Sequence, residues 1–116
     1  LKELQENKLL ELPIVPNNCT HNGHMFYIKV NDLNDRTKLL NYLKKNNILS
    51  AFHYVPLHSS KAGLEFGRFS GLDRFTTKDS EKLIRLPLYF GFDEKSQLKV
   101  INTLKEYFTT NERIND

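Results

Sequence analysis

The chain has 116 residues, 39% apolar and 27% charged, with 17 basic against 14 acidic side chains. That size and balance fit one ordinary globular domain, and the charge is spread evenly: residues 1–60 hold 7 basic and 5 acidic residues, residues 61–116 hold 10 and 9. No apolar run nears the roughly 20 residues that span a bilayer, no signal peptide is legible, and a lone cysteine, Cys19, excludes an internal disulfide framework.

Residues 1–12, rich in Leu, Glu and Lys, predict a leading helix. Leu1, Leu4, Leu9 and Leu10 share its face, and Pro13 ends it. Pro16, Asn17-Asn18 and Asn22-Gly23 mark a turning connection. Residues 24–30 predict a strand with Phe26, Ile28 and Val30 on the core face. A helix follows over about 35–46, capped by Asn34 or Asp35 and striped by Leu39, Leu40 and Leu43. Asn46-Asn47 ends it in a left-handed conformation. Residues 48–55 predict a second strand, stopped by Pro56.

Residues 56–75 read as a long irregular loop of the kind that carries function. Thr76 or Thr77 caps a short helix reaching about Ile84. Residues 86–90 predict an edge strand, because they contain Pro87. Asp93 caps a last helix over 94–108 with Leu98, Ile101, Leu104 and Phe108 as its core stripe. Residues 109–116 read as a frayed tail. The order predicts an α+β two-layer sandwich: a three-stranded sheet, residues 13–108 its compact core, covered by helices.

The densest run of polar chemistry is FHYVPLHSS at 52–60. It leaves the predicted strand through Pro56 and offers His53, Tyr54, His58, Ser59 and Ser60. These are donors and acceptors suited to a phosphate or a sugar, and histidine changes charge near neutrality. The plainer alternative makes His53 and Tyr54 an ordinary strand pair and His58 a loop residue. Cys19, His21 and His24 invite a zinc reading, but their spacing matches no usual structural site. Gly63, Gly67 and Gly71 read as turn and packing glycines. Arg68, Arg74 and Arg85 are candidates for an anion, each with an equally good surface reading.

Four runs carry a resemblance. HMFYIK at 24–29, FHYVPLHSS at 52–60, DRFTTK at 73–78 with Ser80-Glu81, and RLPL at 85–88 stand in this order and spacing. Together they resemble the DegT/DnrJ/EryC1/StrS family of sugar aminotransferases, over about residues 10–108. The resemblance implies the C-terminal small domain of the type I aspartate aminotransferase fold, with a small, mainly antiparallel sheet. It implies a pyridoxal phosphate enzyme that moves an amino group from glutamate to a dTDP-4-keto-6-deoxyhexose in surface polysaccharide or antigen synthesis. It also implies a homodimer in the cytoplasm, without nucleic acid or membrane partners.

The family's cofactor lysine motif is missing here. The N-terminal large domain that holds it is therefore the expected missing partner, and the chain, which opens on Leu1, is expected to be partial. No catalytic or cofactor residue is assigned, and no bound cofactor or transamination is expected of this chain alone. His53, Tyr54 and His58 are expected to hydrogen-bond the pyrophosphate or sugar, with Ser59 and Ser60 beside them. Two other classes compete. One is an independent ligand- or RNA-binding α+β module, favoured by the pI near 9.0 but lacking the strand signature of RNA-recognition sheets. The other is a small metal-dependent enzyme built on the histidines.

Overall fold

The computed structural model describes residues 1–115. Its elements are α1 (Lys2–Glu6), β1 (Phe26–Lys29), α2 (Leu33–Lys45), a 3-10 turn (Leu57–Ser59), α3 (Lys61–Phe66), α4 (Thr76–Lys82), β2 (Leu83–Leu86) and α5 (Glu94–Asn115). The architecture is α+β. β1 and β2 pair antiparallel, Phe26 opposite Leu86 and Ile28 opposite Ile84. Single bridges widen this ribbon on each side, Glu11 with Lys29 and Ala51 with Arg85. Ile28, Val30, Ile84 and Leu86 face the core, where Leu39 and Leu43 of α2 and Leu104 and Phe108 of α5 cover them. The strand face predicted for residues 24–30 is the observed one.

The leading helix stops at Glu6, well short of Pro13. Lys8 takes a positive φ of 59° and reverses the chain. That turn lets Leu4 and Leu10 both reach the core and frees Glu11 for the sheet edge. α2 is capped by Asp32, whose Oδ1 accepts the amide of Asp35 at 2.9 Å, so Asp35 is the donor and not the cap. Its end is as predicted, with Asn47 at φ 57°.

Residues 48–55 do not form a strand. Only Ala51 pairs, with N–O distances of 3.1 and 2.7 Å to Arg85. In that antiparallel register residue 49 would meet Pro87, which has no amide to give. Residue 53 would meet Leu83, where α4 has only just ended. The ladder therefore closes after one bridge. β2 itself lies at Leu83–Leu86 rather than at 86–90, with Pro87 just beyond it. In the two-stranded sheet it is an edge strand, as expected, met on its outer side by the single Ala51 bridge, but the proline terminates the strand instead of sitting in it.

The 56–75 segment has regular structure of its own, the 3-10 turn and α3. The cap of α4 comes from Asp73 instead of Thr76 or Thr77: its oxygens accept the amides of Thr76 at 2.9 Å and Thr77 at 3.1 Å. α4 ends at Lys82 because Ile84 and Leu86 must alternate into the core. Asp93 does cap α5, accepting the amide of Ser96 at 2.8 Å. The buried stripe of α5 is Val100, Thr103, Leu104 and Phe108, whereas Leu98 is 48% exposed. The expected frayed tail is helical to Asn115; its last residue, Asp116, lies outside the described residues. Among the described residues, no helix is long and apolar enough to cross a membrane.

Candidate functional site

After the bridge at Ala51 the chain runs extended to Pro56, which opens the 3-10 turn. Phe52 turns toward α2, where the Arg36 guanidinium sits 4.5 Å from its ring centre. Arg36 also donates through Nη1 to the carbonyl of Ser80, tying α2 to α4. Its Nε is buried without a partner, and desolvation lowers its pKa against the opposing pull of Glu81.

His53 and Tyr54 follow, joined by a cis peptide bond. Their rings stack at 4.3 Å with 5° between planes. His53 is half-buried, whereas Tyr54 is 71% exposed. The carbonyl of Pro56 then accepts the amides of Ser59 and Ser60, each at 3.1 Å. It also accepts the hydroxyl of Ser59 at 3.1 Å. Ser60 donates its hydroxyl to the carbonyl of Leu57 at 2.7 Å and accepts the amide of Gly63 at 3.0 Å, so it caps α3.

Gly63 is needed here: a Cβ at that position would lie 1.7 Å from the Leu57 carbonyl oxygen. The turn and α3 therefore form one tight knuckle.

His58 points from this knuckle to the start of α4. Its Nε2 is 3.0 Å from Asp73 Oδ2 and 3.4 Å from Thr77 Oγ1. Its ring lies 4.4 Å from that of Phe69. Thr77 donates its hydroxyl to the same Asp73 oxygen. That bond is the first cause holding the Asp73 carboxyl below its usual range, with the amides of Thr77 and Thr76 and the neighbouring His58 adding to it. With Nε2 facing a carboxylate, Nδ1 is the ring nitrogen left for a ligand.

His53, Tyr54 and Ser60 line one open cleft of about 580 Å³, together with Pro56, Asp79 and Leu83. His58 and Ser59 lie outside its lining. His53 also borders a second cleft of about 490 Å³ whose walls include Arg85 and Lys99. In the sequence Asp73 and Thr77 read only as part of the DRFTTK run, and Thr77 as a candidate cap, without a place in the site. Their signal was present, an aspartate three residues ahead of a helical threonine, the spacing of a side-chain cap.

Cys19 is exposed, and His21 Nδ1 is used locally as acceptor for the amide of Gly23 at 3.0 Å. Among the described residues, no group of three or more His, Cys, Asp or Glu is arranged to hold a metal ion.

Pyridoxal phosphate asks for a lysine together with an acidic partner for its ring nitrogen, against an aromatic wall. The 490 Å³ cleft has Lys99, Tyr89 and Phe92 but no carboxylate. A third cleft has Lys8, Lys29 and Glu11 but no aromatic ring, and Lys29 is already paired with Asp79 at 3.0 Å. The 580 Å³ cleft and a fourth, beside Phe26, hold no lysine. The residues of these clefts do not fit the cofactor.

The model of a known family matches residues 1–105, nearly the whole chain. The chain belongs to the DegT/DnrJ/EryC1/StrS aminotransferase family. Among its relatives is the uncharacterised protein MJ1066 of Methanocaldococcus jannaschii, 26% identical over 119 residues, covering 95% of this chain and 30% of that protein.

The fold recurs in solved structures. The aminotransferase TlmJ of Streptoalloteichus hindustanus superposes with a TM-score of 0.77 at 18% identity, over 96% of this chain and 31% of its own. NtdA of Bacillus subtilis, solved with bound cofactor PMP, gives 0.72 at 26% identity, over 91% and 24%. The chain thus spans about a third or less of the length of the relatives it matches.

Proposed function

We propose that this chain is the small domain of a larger, pyridoxal phosphate-dependent sugar-nucleotide aminotransferase. The complete enzyme would move an amino group from glutamate to a dTDP-4-keto-6-deoxyhexose, in the synthesis of a surface polysaccharide such as enterobacterial common antigen. One observation carries this reading: the family match runs through residues 1–105, yet the chain covers only 30% of MJ1066 and 31% of TlmJ. The PMP bound in NtdA supports the cofactor. An independent nucleic-acid module gains no comparable support.

Within such an enzyme the cofactor supplies the electron sink, and the large domain expected to accompany this chain would hold it. The residues of this chain bind and orient. Tyr54 offers an exposed hydroxyl, and His53 stacks behind it and fixes its ring. His58, its Nε2–H turned to Asp73, offers Nδ1 as an acceptor to a sugar hydroxyl, and becomes a donor to a pyrophosphate oxygen only when the ring is protonated. Ser59 and Ser60 spend their hydroxyls on the knuckle and hold its shape; their part in binding is through the backbone they fix.

The exposed apolar side chains on and beyond the knuckle (Leu57, Leu64, Phe66, Leu72 and Phe75) suit burial against a further domain or a second subunit. The test is enzymatic. The gene product containing this chain should aminate a dTDP-4-keto-6-deoxyhexose with glutamate and show a visible cofactor spectrum. The 116-residue chain alone should show neither. Turnover by the isolated chain would contradict the reading.

A further inference from the structure

Asn22 is the only asparagine of the chain that is followed by glycine. The backbone nitrogen of the next residue can attack an asparagine side-chain carbonyl, because that closure makes a five-membered ring. Glycine leaves the attacking nitrogen uncrowded, having no Cβ. Gly23 takes a φ of 68°, and nothing lies within 4 Å of where a Cβ would stand. His21, Asn22, Gly23 and His24 are all exposed, so water reaches the segment.

Two hydrogen bonds fall on the atoms that such a closure uses. The amide of Gly23 donates to Nδ1 of His21 at 3.0 Å. The ring thus presents its acceptor to the one proton that must leave the attacking nitrogen. With Nδ1 accepting, the neutral ring carries its own proton on Nε2, and histidine can take up a second proton and return it near neutrality. The amide of His24 donates to Oδ1 of Asn22 at 3.1 Å. It polarises the Cγ carbonyl and faces the oxygen on which negative charge would develop, as an oxyanion donor does. An asparagine turn that merely shaped the loop would need only this second bond; the first puts a base on the nucleophile.

We propose that residues 21–24 form a self-modification site that converts Asn22 to aspartate and isoaspartate, with water as the only co-reactant. His21 Nδ1 takes the Gly23 amide proton as that nitrogen bonds to Asn22 Cγ, and the oxyanion at Oδ1 rests on the His24 amide. As the oxyanion collapses, the Cγ–Nδ2 bond breaks. His21 returns the proton to Nδ2, ammonia leaves, and a succinimide remains. Water then opens the ring at Cγ to give aspartate, or at the backbone carbonyl carbon of Asn22 to give isoaspartate. One amide and one water become one acid and one ammonia, with nothing oxidised or reduced.

The new carboxylate would arise between His21 and Gly23, which both line an apolar cleft of about 360 Å³ with Phe26, Leu86 and Phe92. The isoaspartate form also lengthens the main chain just ahead of β1. None of this depends on the aminotransferase reading.

The test ages the purified 116-residue chain at neutral pH, folded and unfolded in urea. Peptide mapping by mass spectrometry follows conversion at Asn22, and enzymatic methylation of isoaspartate identifies that product. The folded parent should convert Asn22 faster than the unfolded chain does. His21→Ala should slow the folded reaction by about tenfold or more, within what a positioned general base supplies. The same substitution should have no effect in urea, where the contact is gone. Asn22→Gln, whose closure needs a six-membered ring, should give no product at this position. His21 is exposed and outside the buried core, so His21→Ala should keep the parent's circular dichroism.

The proposal is overturned by folded His21→Ala converting at the parent's rate, which would leave the His21 contact as turn structure only. It is equally overturned by a His21 effect that persists in urea, or by a parent that converts no faster folded than unfolded.

Discussion

Nε2 of His58 lies 3.0 Å from Oδ2 of Asp73, and that contact joins the 3-10 turn to the residue that caps α4. Asp73 does two things at once. It receives the amides of Thr76 and Thr77, which begin α4, and it fixes the ring of His58. Asp73→Ala is therefore expected to lower the melting temperature and to release the His58 ring. Asp73→Asn should recover part of the cap, because an amide oxygen also accepts, and not the charge. Thermal unfolding, with NMR of the His58 ring nitrogens above the titration range of histidine, checks this. Parent protein with its proton on Nδ1 would contradict the geometry.

The same carboxylate sets a pH dependence. Its folded pKa is depressed, first by the Thr77 hydroxyl. A depressed acid contributes stability that is complete above the unfolded value, about 3.9 for aspartate, and is lost as pH falls through the folded value. Denaturant midpoints should be level above about pH 5 and fall below about pH 4. Asp73→Asn should flatten its share of that fall. Asp93, depressed chiefly by the Ser96 amide, should account for a further share.

The corrected face of α5 gives a sharper contrast. Leu104 is fully buried, and Leu104→Ala should cost about 2–5 kcal/mol by denaturant unfolding. Leu98→Ala, at a largely exposed position, should stay within about 0.5 kcal/mol of the parent. Equal losses would mean that α5 is rotated from the face described.

Gly63→Ala tests the knuckle. Its Cβ would collide with the Leu57 backbone, which cannot yield like a flexible side chain. A loss of about 1–3 kcal/mol is expected, typical of overpacking. Chemical shifts of residues 57–63 should move with it. A neutral substitution would show that the turn and α3 are not packed as described.

The alternation of residues 26–30 was legible because one face is buried and the period is local. The caps by Asp93 and the left-handed Asn47 were equally readable from short-range chemistry. What escaped was set at long range. Residues 48–55 have strand composition, but their only available partner is cut off by Pro87 on one side and by α4 on the other. The leucines of residues 1–12 have helical spacing, but a turn at Lys8 serves their burial better. At the candidate site the sequence pointed to His53, Tyr54 and His58. It did not reveal Asp73, because a side-chain cap and a histidine partner look alike until the chain is folded.

The exposed rings of Phe66 and Phe75, 82% and 72% accessible, should drive self-association of the isolated chain. Sedimentation should show association that Phe66→Ser with Phe75→Ser relieves. The residue 1–12 leucines, packed inward, should not contribute. A parent chain that stays monomeric at high concentration would argue that this surface has no partner.

The most direct measurement separates the two half-reactions of the complete enzyme by following the cofactor spectrum. Tyr54→Phe removes one exposed hydroxyl and leaves the stacked ring in place. It should weaken the sugar-nucleotide half-reaction by roughly 10–150-fold, the worth of one hydrogen bond to a charged group. His58→Ala should act in the same direction, and the glutamate half-reaction should change little in either variant. Equal slowing of both half-reactions, or no change in either, would contradict the account.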